Sequence, residues 1–554
     1  RPGEGIRIDS TAVVQVGEKM YAYLGGDGFS KEFWTNLPAS GELAVTLKFE
    51  PIPMDAESLD FYEMPAKKSE GWNIYGVRLD GKKPEIGISE KLLNQQLDYS
   101  QPLPDPDLKN GKTVIRGHIL GYNPAYGTTL NFNCSDWFFF DVFGQSIPIA
   151  EDGSFYYETN LMIPGDATLR VGRKRFEIFL VPGGELEITF NLPEIYWSES
   201  RLFGKKDGRP LVWFEGTYAG LNTELTKYAG LTSIYSADSF YENICGVTPA
   251  QYKKYVTKIY EKNRGEILKN KSLSDAARTY MINKLEMSYF FAIKGYKGTI
   301  SYAPMISGKK GVKRADMTVG ENYYDDILKL DFIHSPYIRY GGYPDFVRAA
   351  TEDFKGKFEP QPIWEDILRA RPLGSTLARL KPLSEKQMLT LDSISEPEIK
   401  KALTIRNQKV ADLLAESAKK TGYTICQLDT AVTADSLLAV ITRPYRGKVV
   451  LIDMWNTWCG PCMRAMNSLK PVKEELKDVV YVYVADESSP EGKWKITIPD
   501  IHGIHYRITN EQSAALYEYP GIPTYFVIDR EGKLSYKVTG FPGAEKMREE
   551  LIKL

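Results

Sequence analysis

The spacing of hydrophobic positions changes along the chain, and each change marks a different architecture. In "ELAVTLKFEP", Leu43, Val45, Leu47 and Phe49 alternate with polar residues until Pro51. In "IYGVRLDG", Tyr75, Val77 and Leu79 alternate before a turn at Asp80-Gly81. A period of two is the signature of half-buried strands, so residues 1–99 are expected to form a β-rich domain. "SQPLPDPDLKNGK" follows, and its prolines favour extended backbone, so 100–110 is expected to be a linker. The strand period resumes over 111–194, where "ELEITFN" alternates Leu186, Ile188 and Phe190 and Asp152-Gly153 signals a turn. The aromatic run Trp137-Phe138-Phe139-Phe140 reads as a strand buried on both faces. The expectation for 111–194 is an antiparallel β-sandwich.

Beyond residue 195 the period lengthens. "TPAQYKKYVTKIYEK" opens with a capping pair, Thr248 and Gln251, around Pro249. Tyr252, Tyr255, Val256, Ile259 and Tyr260 then fall on one face of a helix. "SEPEIKKALTIRNQKVADLLAESAKKTG" predicts another helix, capped by Ser395 with Glu398 and stopped at Gly422. Residues 195–425 are therefore expected to be mainly helical. From 426 to 554 strands and helices alternate: "GKVVLIDMW", a helix after it, "VVYVYVAD", a helix-compatible stretch near 511–519, a hairpin turning at Gly532, and "AEKMREELIKL". That order predicts a mixed sheet covered by helices.

Charge and composition narrow the function. Over 554 residues, 70 Lys and Arg nearly cancel 72 Asp and Glu, which argues against nucleic acid as a partner. No apolar run approaches the ~20 residues that cross a bilayer. The chain opens Arg-Pro-Gly, and removal of an upstream segment is expected. Cys134, Cys245 and Cys426 stand alone in sequence and are expected to be small buried hydrophobes.

Cys459 and Cys462 are different, because "DMWNTWCGPCMRAM" places them where an apolar strand gives way to a helix. The helix's unpaired amides and dipole would stabilise a thiolate on the first cysteine. Cys459 is thus the expected nucleophile and Cys462 the resolving thiol. Asp453, flanked by Leu451-Ile452 and Met454-Trp455, is expected to be buried beneath them and to move the proton of Cys462. A zinc site would need His502 and His505 as further ligands, at a spacing unlike that of structural zinc, and no metal or other cofactor is expected. Both histidines read as loop or strand surface.

With these motifs in hand, residues 426–554 resemble the thioredoxin superfamily, and most closely its TlpA/ResA-like thiol–disulfide oxidoreductases. The resemblance rests on Trp455-x-x-Trp458-Cys459-Gly460-Pro461-Cys462, on Asp453 six residues earlier, and on Gly521-Ile522-Pro523-Thr524. It implies a cis-proline at Pro523 beside the disulfide, and substrate contacts at Trp458, Gly460, Pro461, Ile522 and Pro523. Gly540 matches a glycine that lets substrate approach. It also implies protein disulfide substrates, a periplasmic or otherwise exported and possibly membrane-tethered protein, and a membrane dithiol as electron donor. The sequence departs from many TlpA/ResA-like members at Ala465 and Asn467, where they carry glutamate and proline. Gly-Pro between the cysteines is the thioredoxin dipeptide, which favours a reductase. A disulfide isomerase or oxidase, or a scaffold whose function lies in residues 1–425, are the other readings.

Overall fold

Near the N-terminus the alternating segments pair into sheet. The computed structural model describes residues 5–29, 34–40, 42–65, 73–80, 86–134, 145–199, 209–237, 239–313, 315–332, 336–429, 431–516 and 521–554. Five antiparallel strands run in the spatial order Thr46–Phe49, Lys19–Asp27, Val13–Val16, Ser58–Tyr62, Asn73–Arg78. Gly81, the run at 137–140 and residues 517–519 lie outside the described residues.

Two four-stranded sheets follow and share one core, in which Ile115, Leu130, Leu169, Ile188 and Phe190 are fully buried. The antiparallel expectation fails at one pair, because Gly111–Leu120 and Glu185–Asn191 run parallel. A strand at Val212–Gly216, inside the stretch read as helical, pairs with Glu185–Asn191. Val212, Trp213 and Phe214 are all buried there, and helix Ala219–Lys227 packs against that strand. Covered on both faces, it has no polar alternation to read.

The proline-rich stretch is a strap rather than a loose linker. Its Pro102 carbonyl accepts from Tyr218 (3.1 Å) and its Pro104 carbonyl from Arg339 (2.8 Å). Leu103 and Leu108 pack onto the helical core. Among the helices, Pro249–Lys269 carries the capping box of Thr248 and Gln251, with Tyr252 and Val256 fully buried. The helix Pro397–Ala418 is capped differently from the sequence expectation. Glu396 is its N-cap and accepts from the Glu398 amide (3.3 Å), while the Ser395 amide goes to Asp366 (3.0 Å).

The last domain builds a six-stranded mixed sheet. Its elements are β1 (Tyr423–Cys426), α1 (Ala434–Thr442), β2 (Val450–Met454), α2 (Gly460–Glu475), β3 (Val480–Asp486), α3 (Glu491–Thr497), β4 (Gly503–Ile508), α4 (Asn510–Leu516), β5 (Thr524–Ile528), β6 (Leu534–Thr539) and α5 (Ala544–Ile552). The spatial order is β1-β4-β3-β2-β5-β6, with β2 central, parallel to β3 and antiparallel to β5. Every residue of β2 is buried, because helices cover both faces. The β5–β6 hairpin turns at Gly532, whose φ of 83° a glycine adopts without steric cost.

Candidate redox site

The site forms where β2 ends and α2 begins. Cys459 is the N-cap of α2, a role that leaves the first helical amides without backbone partners. Its sulfur meets one of them, the Cys462 N–H, at 3.2 Å. Cys459 and Cys462 are joined as a disulfide, with Cα atoms 5.3 Å apart. Cys459 is 4% exposed and Cys462 not at all, so an attacking group meets Cys459 first. Trp458, by contrast, is 51% exposed, and Gly460 and Pro461 also face solvent.

Strand alternation sets the floor of the site. Val450, Ile452 and Met454 face one core, while Leu451 and Trp455 face the core that contains both cysteines. Asp453 falls between Leu451 and Trp455, so it points to the cysteine side. It is 2% exposed, and neither carboxylate oxygen has a hydrogen-bond partner among the described residues. Burial therefore pushes its carboxyl well above the usual carboxylate range. Its neighbours across the sheet are Tyr483 on β3 and Tyr525 on β5. Burial raises both phenols, and the Asp453 carboxylate raises them further.

The Ile522–Pro523 peptide bond is cis, and the Ile522 carbonyl oxygen lies 3.8 Å from the Cys459 sulfur. Pro523 is buried, and Ile522 is half-buried. The Pro523 carbonyl accepts from the Gly540 amide (2.8 Å). Gly540 has φ of 84° and open space where a Cβ would stand. Cys459, Cys462, Asp453, Trp458, Gly460, Pro461, Ile522, Pro523 and Gly540 thus lie around one strand end and its facing loop.

Other residues at the site carried no motif. Asn456 and Ser489 are buried and joined by a 2.8 Å hydrogen bond, and Ser489 accepts from the Thr457 amide (2.9 Å). Ser488 accepts from the Trp458 indole N–H (3.0 Å). Lys473, three helical turns beyond Cys462, donates to the Tyr483 hydroxyl (3.0 Å) and the His502 carbonyl, and burial lowers its ammonium to about 8. Its helical spacing from Cys462 was the available signal.

The histidines do not share a surface. His502 is exposed, whereas His505 is fully buried, stacked on Tyr483 and bonded through Nε2 to the Ile501 carbonyl (2.6 Å). Burial holds its imidazole down at about 4. Among the described residues, no group of three His, Cys, Asp or Glu is placed to hold a metal ion. Cys134, Cys245 and Cys426 are half-buried, less enclosed than the small buried hydrophobes that the sequence predicts.

Comparison with known proteins agrees with this geometry. A family described as thioredoxin-like matches residues 447–534. The thiol–disulfide oxidoreductase ResA of Geobacillus thermodenitrificans is 29% identical over 117 residues, covering 19% of this chain and 63% of that protein. The chain therefore spans just under two thirds of that ResA's length. A solved DsbF homologue from Corynebacterium diphtheriae is 20% identical, covering 20% of this chain and 76% of its own, with a TM-score of 0.19. The thioredoxin of Staphylococcus aureus strain N315 is 38% identical over 105 residues, which cover 19% of this chain and 81% of that protein. An identity of that level, sustained over four fifths of a thioredoxin, makes this chain a member of the thioredoxin family.

Proposed function

We propose that this chain is a thiol–disulfide oxidoreductase that reduces disulfides of protein substrates outside the cytoplasm, with Cys459 as nucleophile and Cys462 as resolving thiol. The observation that carries this reading is the position of Cys459, capping α2 with its sulfur on the Cys462 amide, on the same side of the sheet as a buried Asp453 that has no hydrogen-bond partner among the described residues. In the reduced protein the same amide and helix end favour the Cys459 thiolate.

The thiolate attacks one sulfur of a substrate disulfide. A Cys459–substrate bond forms, the substrate S–S bond breaks, and the released sulfur leaves as thiolate. Cys462 then loses its proton to the Asp453 carboxylate and attacks the Cys459 sulfur. The second substrate thiolate leaves, two electrons have passed to the substrate, and the Cys459–Cys462 disulfide is restored. Asp453 suits this transfer because burial raises its carboxyl well above the usual carboxylate range, which makes the carboxylate a stronger proton acceptor than an exposed one. An extended substrate would lie over Trp458, Gly460 and Pro461, use the backbone of Ile522 and Pro523, and pass the open side of Gly540. A membrane dithiol would return the enzyme to its reduced state, and the protein would sit in the periplasm, free or tethered. Among the described residues no helix is long and apolar enough to cross a membrane.

Substitution of the resolving thiol tests the reading. Cys462→Ser is expected to accumulate a covalent complex with a disulfide-containing protein such as insulin, released by dithiothreitol, while Cys459→Ser forms none. Absence of the complex, with no thiol-dependent reduction by the wild type, would refute it.

A further inference from the structure

The segment joining β3 to α3 touches both the cysteine loop and the helical region. On one side it pins the loop: Ser489 accepts from the Thr457 amide, Ser488 accepts from the Trp458 indole, and Asn456 accepts from the Asp486 amide (3.1 Å). The Asn456 carbonyl in turn accepts from the Cys459 amide (2.9 Å), so the loop and the nucleophile are held as one piece. On the other side the chain enters α3 at Glu491 and docks at once.

That docking is tight. Gly492 is buried against the end of helix Pro362–Ala378, and a Cβ there would stand 2.0 Å from the Leu380 carbonyl oxygen and 2.7 Å from that of Arg379. These are backbone atoms, which cannot swing aside as a side chain would. Leu380 itself has φ of 54°, with its amide on Leu377 (2.9 Å) and the Lys381 amide on Thr376 (3.3 Å). This left-handed helix ending is one that glycine usually fills. The leucine persists in it with its side chain buried in the helical core. Further along α3, the Ser417 hydroxyl donates to the Lys495 carbonyl (3.0 Å), and Ile496 packs on the helical core. Trp494 and Ile498 face the other way, into the cysteine core. Lys420 and Asp500 add an ion pair (2.7 Å).

We infer that the helical region positions the cysteine loop through this seam, with Gly492, Ser488 and Ser489 as positioning residues for Cys459 and Trp458. The inference rests on the redox reading above. It gives the helical region a role that a free-standing thioredoxin domain lacks: it holds the turn at 486–492 from outside, and the turn holds the loop.

Gly492→Ala separates the possibilities cleanly, because Gly492 is not in a left-handed conformation and alanine is the better helix former. In an undocked domain the substitution would be neutral or stabilising. In the docked chain it must open the seam. With the full-length protein, we expect Gly492→Ala to slow insulin reduction by about tenfold to a hundredfold, since displacement of a reacting group by an ångström can cost about a hundredfold. The alkylation rate of reduced Cys459 by iodoacetamide should change with it. Ser488→Ala leaves the seam intact and removes the hydroxyl that accepts from the Trp458 indole and donates to the Asp486 carboxylate. It should change the alkylation rate and the tryptophan emission, and it tests the turn's hold on the loop even if Gly492→Ala does not fold. Wild-type alkylation and reduction rates in a folded Gly492→Ala, or in Ser488→Ala, would overturn the inference while leaving the redox reading intact. A wild type that reduces nothing would instead sink the redox reading.

Discussion

Replacing Asp453 with asparagine is expected to stabilise the oxidised chain at pH 8 and to slow its turnover. The carboxyl is 2% exposed and both oxygens lack hydrogen-bond partners among the described residues, so ionising it in the folded state is penalised. The folded pKa therefore lies above that of an unfolded aspartate, about 3.9. Below that pH both states hold the proton, and Asp453 costs nothing. As pH rises past it, the unfolded chain ionises while the folded one does not, so wild-type stability falls until the folded carboxyl also ionises. Each unit between the two values is worth about 1.4 kcal/mol. Asparagine has nearly the same shape and never ionises. The variant should therefore be more stable than wild type at pH 8 and gain nearly nothing at pH 3.5. Urea unfolding at both pH values, reported by tryptophan emission, measures the difference. Turnover with insulin should fall because Cys462 has lost its proton acceptor. An equal effect of the substitution at both pH values would show that Asp453 titrates normally, and the argument for its role would fail.

Other expectations follow from neighbouring groups. Lys473, lowered to about 8 by burial, should react with acetic anhydride with a midpoint near pH 8, whereas an exposed lysine does so near 10.4; mass spectrometry of the labelled peptide distinguishes the two. His505, held at about 4 against about 6.5 unfolded, should cost the chain about 3 kcal/mol as pH falls from 6.5 to 4, since only the unfolded state takes up the proton. His505→Gln removes that slope, and comparing urea midpoints of variant and wild type at the two pH values would show it.

Sequence pattern and structure agree where local chemistry and tertiary placement coincide. The cysteine motif, the Asp453 strand and the Tyr252–Tyr260 face carry their information within a few residues, through strand alternation or helical spacing. Val212–Gly216 was invisible for the opposite reason, because burial on both faces erases its period. The prolines at 102–106 predict a spacer, and only the distant partners Tyr218 and Arg339 turn them into a strap. Ser488, Ser489, Asn456 and Gly492 are common residue types whose importance lies in contacts across the fold. His505 read as polar surface, and its place in the core depends on the Ile501 carbonyl and the Tyr483 ring.

The midpoint potential of the Cys459–Cys462 couple tests the central claim most directly. Gly-Pro between the cysteines is the thioredoxin arrangement, near −270 mV, against about −120 mV for the oxidant DsbA, a gap worth about 7 kcal/mol in a two-electron couple. Titration of the full chain against a thiol redox buffer, followed by tryptophan emission, should give about −250 mV or lower for a reductase. A value above about −190 mV would assign the protein to the oxidases or isomerases. No two-electron transition at all would remove the redox reading.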